Sequence, residues 1–269
     1  TQLAWSNSTL SYLQNGTTLE VNQTDTSSNI ALSDMVFQHC AKTDPDGDGG
    51  ALRIPVTSKA AISLQNVYFY NNSVSNATNA TRGGGIYLSQ EPPQGTAPQD
   101  CYAEFHNVTF EGNSAPNGGG IHHDMPSNSS ASYTGCTWIG NMALYSNASN
   151  GKEGTGGGMQ LHIGNGSSAI MYNCTFSDNF ANFEGSAMEY SAGNNTMANF
   201  TLFYVSNNTG HSRPMSLYHA NTSTVIVDQL TCFNNNALMV AGCLSWQCEF
   251  DSDCHLTNSH FEQNTVIRD

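Results

Sequence analysis

Aligned on the pattern aromatic-x-x-Asn, the chain falls into eight similar units, and this repetition restricts its fold more than any other feature. The anchors are Phe37, Phe69, Phe110, Trp138, Phe176, Val205, Phe233 and Phe261. Subtracting successive anchor numbers gives spacings of 32, 41, 28, 38, 29, 28 and 28. A basic unit of about 28 residues, lengthened in places by loop insertions, accounts for all seven gaps.

Upstream of each anchor, positions −7, −5 and −2 are mostly apolar: Ile62, Leu64 and Val67 in one unit, Ala103, Phe105 and Val108 in the next. The residues between them are polar, the period-two pattern of a strand with one buried face. The change from a step of two to a step of three, between −5 and −2, predicts a bend between two strands.

Three residues after the anchor stand Asn72, Asn113, Asn141, Asn179, Asn208, Asn236 and Asn264, with Cys40 in the first unit. Stacked at one corner of every coil, these amides are expected to form a ladder. Farther on comes a small-small-small-apolar turn ending at Leu52, Ile86, Ile121, Met159, Met188, Leu217 or Leu244. Such a unit cannot bury its own apolar face, but stacking units at about 4.8 Å turns the apolar columns into a continuous core. The expected architecture is all-β, a right-handed parallel β-helix of about eight coils over residues 29–269. Residues 1–28 read as an N-terminal strand-like segment, a cap or an assembly arm.

Phe-x-x-Asn paired with Gly-Gly-Ala/Gly-Ile/Leu/Met resembles the repeat pair of chlamydial polymorphic outer membrane proteins. The resemblance spans residues 29 to 264 and implies a β-helical, adhesin-like surface protein. It says little about function, because many surface proteins share the repeat pair. The chain departs from that family in its density of N-glycosylation acceptors and in showing no C-terminal barrel.

The pattern Asn-x-Ser/Thr occurs at Asn7, Asn15, Asn22, Asn71, Asn76, Asn79, Asn107, Asn128, Asn147, Asn165, Asn173, Asn194, Asn199, Asn207 and Asn221. Chance would supply roughly six, so the excess reads as N-linked glycosylation in a eukaryotic secretory route, against polar loop composition as the alternative. Eight cysteines fit the same extracellular, oxidising compartment. No apolar run is long enough to span a bilayer and no signal peptide precedes Thr1, so the sequence reads as a mature or excised segment. With 7 Lys and Arg against 21 Asp and Glu, the net charge of −14 argues against nucleic acid as a partner.

Candidate chemistry is sparse. Asp44, Asp46 and Asp48 open like a calcium loop, but Pro55 stands where the bidentate Glu belongs. Calcium stapling an insertion loop and a plain coil corner are the two readings. The outward row after the glycine turn reads Arg53, Tyr87, His122, Gln160, Glu189, Tyr218 and Ser245, with one carboxylate and no pair, so no catalytic residue is assigned. Tyr87 and Tyr218 suggest a sugar-binding stripe. In the Ile121–Asp124 cluster, alternation sends His122 outward and His123 inward, away from one shared metal.

Cys136 and Cys174 share an inward column in neighbouring coils, as a disulfide or as two buried thiols. Cys248 and Cys254 bracket a short loop and are expected to pair. Cys40, Cys101, Cys232 and Cys243 have no assignment. The last unit stops after its Phe261-x-x-Asn264 corner, which suggests end-to-end self-association into a glycan-coated filament, with a fragment of a longer solenoid as the alternative. A subunit of an extracellular filament, appendage or wall is one expected function. A cell-surface adhesin or carbohydrate-binding module is the other, and a polysaccharide lyase or hydrolase ranks behind both.

Overall fold

A computed structural model describes residues 2–6, 8–11, 19–21, 28–43, 47–55, 60–75, 81–89, 100–144 and 154–267. Among them there is no helix. Every strand pairs in parallel with its counterpart one unit away, giving one sheet of 15 strands and two of 8. The architecture is a parallel β-helix. One coil shows the path: Tyr102–His106 and Thr109–Glu111 lie in the first sheet, Ser114–Ala115 in the second and Ile121–Met125 in the third. Each pairs in register with the coils on either side.

The predicted bend at position −3 is a left-handed residue in every unit. Asp34, Asn66, Asn107, Gly135, Asn173, Leu202, Gln229 and Asn258 all have φ between 48° and 64°. A second left-handed column follows two residues after the anchor, with Asn71, Gly112, Asp178 and Asn207 among its members. Asn tolerates this region better than other L-residues, which explains its recurrence at both corners. At the glycine turn the coils approach closely: a Cβ on Gly84 would lie 2.2 Å from the Gly119 carbonyl oxygen, and one on Gly119 would lie 2.4 Å from that of Gly157.

The interior is a stack of like on like. Phe37, Phe69, Phe110, Trp138 and Phe176 lie face to face, with centroids 4.3–5.6 Å apart. Beside them runs the asparagine ladder. Asn113 Nδ2 donates to the Phe69 carbonyl and to Asn141 Oδ1, both at 3.0 Å, while Asn113 Oδ1 accepts from Asn72 N and Nδ2 at 2.9 Å. The same bonds continue through Asn141, Asn179 and Asn208.

Two repeats differ from the sequence reading. The seventh anchor is Cys232, in register with Val205 and Phe261, so the ladder passes through Asn235 rather than Asn236. Sliding the frame by one residue buries Val225, Val227 and Leu230 and turns Asp228 outward, which outweighs the aromatic character of Phe233. Likewise Met215, not Leu217, ends the sixth glycine turn, pairing with Met188 and Leu244. At the N-terminal end, Gln2–Ser6, Thr9–Ser11 and Leu19–Glu20 pair in register with Asn29–Ser33, Val36–Gln38 and Leu52–Arg53. The described strands before residue 28 therefore stack as a further coil. Leu10 stands at its anchor, so the aromatic-x-x-Asn pattern does not reveal it.

The Cys248–Cys254 disulfide is present, and a second joins Cys232 to Cys243. Cys136 and Cys174 are buried thiols: Cys136 Sγ donates to the Phe105 carbonyl and Cys174 Sγ to that of Tyr133. Both donate to carbonyls of the preceding coil, and the two thiols also contact each other between coils. A hydroxyl ladder absent from the sequence reading runs through the turn after the third sheet. Ser129 N donates to Ser167 Oγ at 3.1 Å, and Thr196 Oγ1 donates to Ser223 Oγ at 2.9 Å.

Replacing Asn141 by Ala leaves the buried Asn113 backbone N–H without its acceptor and takes a donor from the Phe110 carbonyl and from Asn179 Oδ1, which keeps only the Asn141 N–H. The expected loss is about 3 kcal/mol, read from the urea midpoint.

His219 is fully buried against Tyr190 and Trp246, and neither ring nitrogen has a hydrogen-bond partner among the described residues. Burial pushes its pKa down to about 4. The unfolded chain takes up this proton near about pH 6.5. As pH falls from there toward about 4 the unfolded state gains, so stability drops by about 1.4 kcal/mol per pH unit from this group. His219→Phe is expected to reduce the difference between urea midpoints measured at about pH 7 and about pH 5.

Candidate functional site

Parallel register converts sequence alternation into rows of side chains that run along the β-helix axis. On the outward face of the third sheet, the second strand position carries Arg53, Tyr87, His122, Gln160, Glu189, Ser216 and Ser245. The fourth carries Ser89, Asp124, His162, Ser191, Tyr218 and Gln247. Tyr218 thus belongs to the second row, and Ser216 takes the place expected for it. Asp124 shares a face with His122 two residues before it, and His162 sits one coil beyond Asp124.

These rows bring four ionisable groups together. His162 Nδ1 lies 2.8 Å from Asp124 Oδ1, and its Nε2 lies 3.2 Å from Glu189 Oε2. His122 Nε2 is 2.9 Å from Asp124 Oδ2, but off the line of a hydrogen bond. Its other nitrogen, Nδ1, is 2.6 Å from Gln160 Oε1. Gln160 Nε2 donates to Thr155 Oγ1 at 2.8 Å, and Thr155 Oγ1 donates to Asn117 Oδ1 at 3.2 Å. Arg82 reaches the same carboxylate, 3.5 Å from Asp124 Oδ2. His122 is 2% exposed, whereas the His162 side chain is 38% exposed, so the cluster has a buried wall and an open side.

The electrostatics follow from this packing. Burial works against ionisation of Asp124, but His122 and His162 overcome it and hold the carboxyl well below the usual carboxylate range. Burial likewise opposes charge on His162, yet its hydrogen bonds to Asp124 and Glu189 prevail and push it up to about 10. The site can therefore hold a positive charge between two carboxylates. The ligand atoms of His122, Asp124 and His162 all lie within 4.8 Å of one another, a spacing that suits a cation.

Other candidate residues lie apart from this cluster. Asp48 Oδ1 accepts the Arg82 backbone N–H at 2.8 Å and serves the coil corner, while Asp44 and Asp46 lie outside the described residues. Tyr87 is 1% exposed and stacked on His122, so it offers no platform to a sugar. His123 points inward, with Nδ1 against the Tyr133 hydroxyl, as alternation requires. The sequence reading named His122, Asp124, Gln160 and Glu189 without joining them into a site, and it missed His162. Aligning "IHHD" on "MQLH" of the next unit carries the signal, because it stacks Asp124 under His162.

Of the sequon asparagines, Asn7, Asn15, Asn22, Asn76, Asn79 and Asn147 lie outside the described residues. Asn71, Asn107, Asn128, Asn165, Asn173, Asn194, Asn207 and Asn221 are exposed; Asn199 is half-buried and accepts a bond from Thr201 Oγ1. All of the exposed ones stand at coil corners. The strands of the third sheet from Leu52–Pro55 to Leu244–Cys248 contain no asparagine. No helix among the described residues is long and apolar enough to cross a membrane.

No family model, curated protein or solved structure matches the chain.

Proposed function

We propose that the protein is a secreted, N-glycosylated β-helical surface protein that binds carbohydrate across the outward face of its third sheet. The observation that carries this reading is the contrast between faces. Exposed acceptor asparagines occupy the corners, while the third-sheet strands carry none and collect charged and hydroxyl groups. The described arginines, Arg53, Arg82 and Arg213, also lie along this sheet, each near a carboxylate of Glu20, Asp124 or Glu184. Rows of polar groups repeating at about 4.8 Å match the scale of an extended glycan better than that of a compact ligand.

The test is glycan-array binding by the protein secreted from a eukaryotic host, with its N-glycans mapped by mass spectrometry. Saturable binding that weakens about tenfold in a Tyr218→Ala, Arg53→Ala double variant supports the reading. Absence of binding by the folded glycoprotein, or binding unchanged in the variant, overturns it.

A further inference from the structure

The hydrogen-bond chain behind His122 fixes the orientation of its ring. Thr155 Oγ1 donates to Asn117 Oδ1 and so accepts from Gln160 Nε2, which turns Gln160 Oε1 toward His122. An amide oxygen at 2.6 Å requires an N–H at His122 Nδ1. Its Nε2 then faces Asp124 Oδ2 at 2.9 Å, off the line of a hydrogen bond. This nitrogen is fully buried and has no hydrogen-bond partner among the described residues. A cation held by the two atoms gives this nitrogen a partner.

We propose that His122 Nε2, Asp124 and His162 Nδ1 bind a divalent first-row transition ion of the zinc type, leaving one coordination position open on the exposed side of His162. Two imidazoles and a carboxylate are the donor set such ions take in open sites. The supporting contacts are already built. Gln160 orients His122, and Glu189 accepts from the far nitrogen of His162, the carboxylate–histidine arrangement that stiffens metal ligands. The ion takes the place of the proton that otherwise joins His162 to Asp124. This inference rests on the cluster geometry and not on the carbohydrate reading.

The test titrates untagged, chelator-stripped protein with Zn²⁺ by calorimetry and with Co²⁺ by visible absorption. One equivalent is expected to bind, with the Co²⁺ bands of a four- or five-coordinate site. His162→Gln alters a partly exposed side chain and is expected to weaken binding about 100-fold. Glu189→Gln, which removes a positioning contact, is expected to cost about 10-fold. His255→Gln and His260→Gln, remote exposed histidines, leave uptake unchanged, and circular dichroism of each variant reports an intact fold. Lack of stoichiometric uptake by the wild type, or uptake that survives in an Asp124→Asn, His162→Gln double variant, overturns the proposal.

Discussion

The fold depends on one constraint: identical positions in successive coils must lie directly above one another. The buried asparagines enforce it. Each Nδ2 is shared between a carbonyl of the preceding coil and the Oδ1 of the next asparagine, so a coil displaced by one residue loses bonds at both levels. Stacked aromatics on the adjoining wall add area but tolerate substitution, since Val205 and Cys232 occupy the same column as Phe176. The polar ladder therefore sets the register, and the apolar column fills the space it defines.

That hierarchy explains what the sequence makes legible. Repetition of Asn after an anchor reveals the coils, their bends and most of the ladder, because one backbone geometry demands one residue type each time. The seventh unit misleads because "CFNNN" offers two anchors and three asparagines, and only the burial of Val225, Val227 and Leu230 together selects Cys232 and Asn235. The first coil is hidden for the opposite reason: its backbone pairs in register although Leu10 carries no aromatic signature. Serine and threonine of the hydroxyl ladder are too common in this composition for their column to stand out.

The sequons illustrate how one residue type serves two masters. Asn107 and Asn173 sit in left-handed corners, each followed by an inward residue and then by an outward strand residue, Thr109 or Thr175. The corner itself thus generates Asn-x-Thr. In the turns after the third sheet, Ser167, Thr196 and Ser223 complete sequons while bonding inside the hydroxyl ladder. Part of the acceptor excess is therefore a product of coil geometry, and the bare face of the third sheet is the more discriminating observation. Strand positions there lack the corner's need for asparagine and are free to carry other chemistry.

What they carry follows from the same stacking rule. A residue and its second neighbour share a face, and the coil above repeats both positions, so four side chains meet wherever two rows are polar. At most levels these rows hold small groups such as Ser89, Ser191 or Ser216. At the level of His122, Asp124, Gln160 and His162 all four are polar and hydrogen-bonding, with Glu189 one coil farther on. In a chain with three times as many acids as bases, unpaired carboxylates at this density would repel one another and the coils beneath them. Placing two histidines and Arg82 around Asp124 neutralises that repulsion where the stacking is tightest. It also leaves a concentrated, partly open electrostatic centre on the one face that corner geometry does not populate with asparagine.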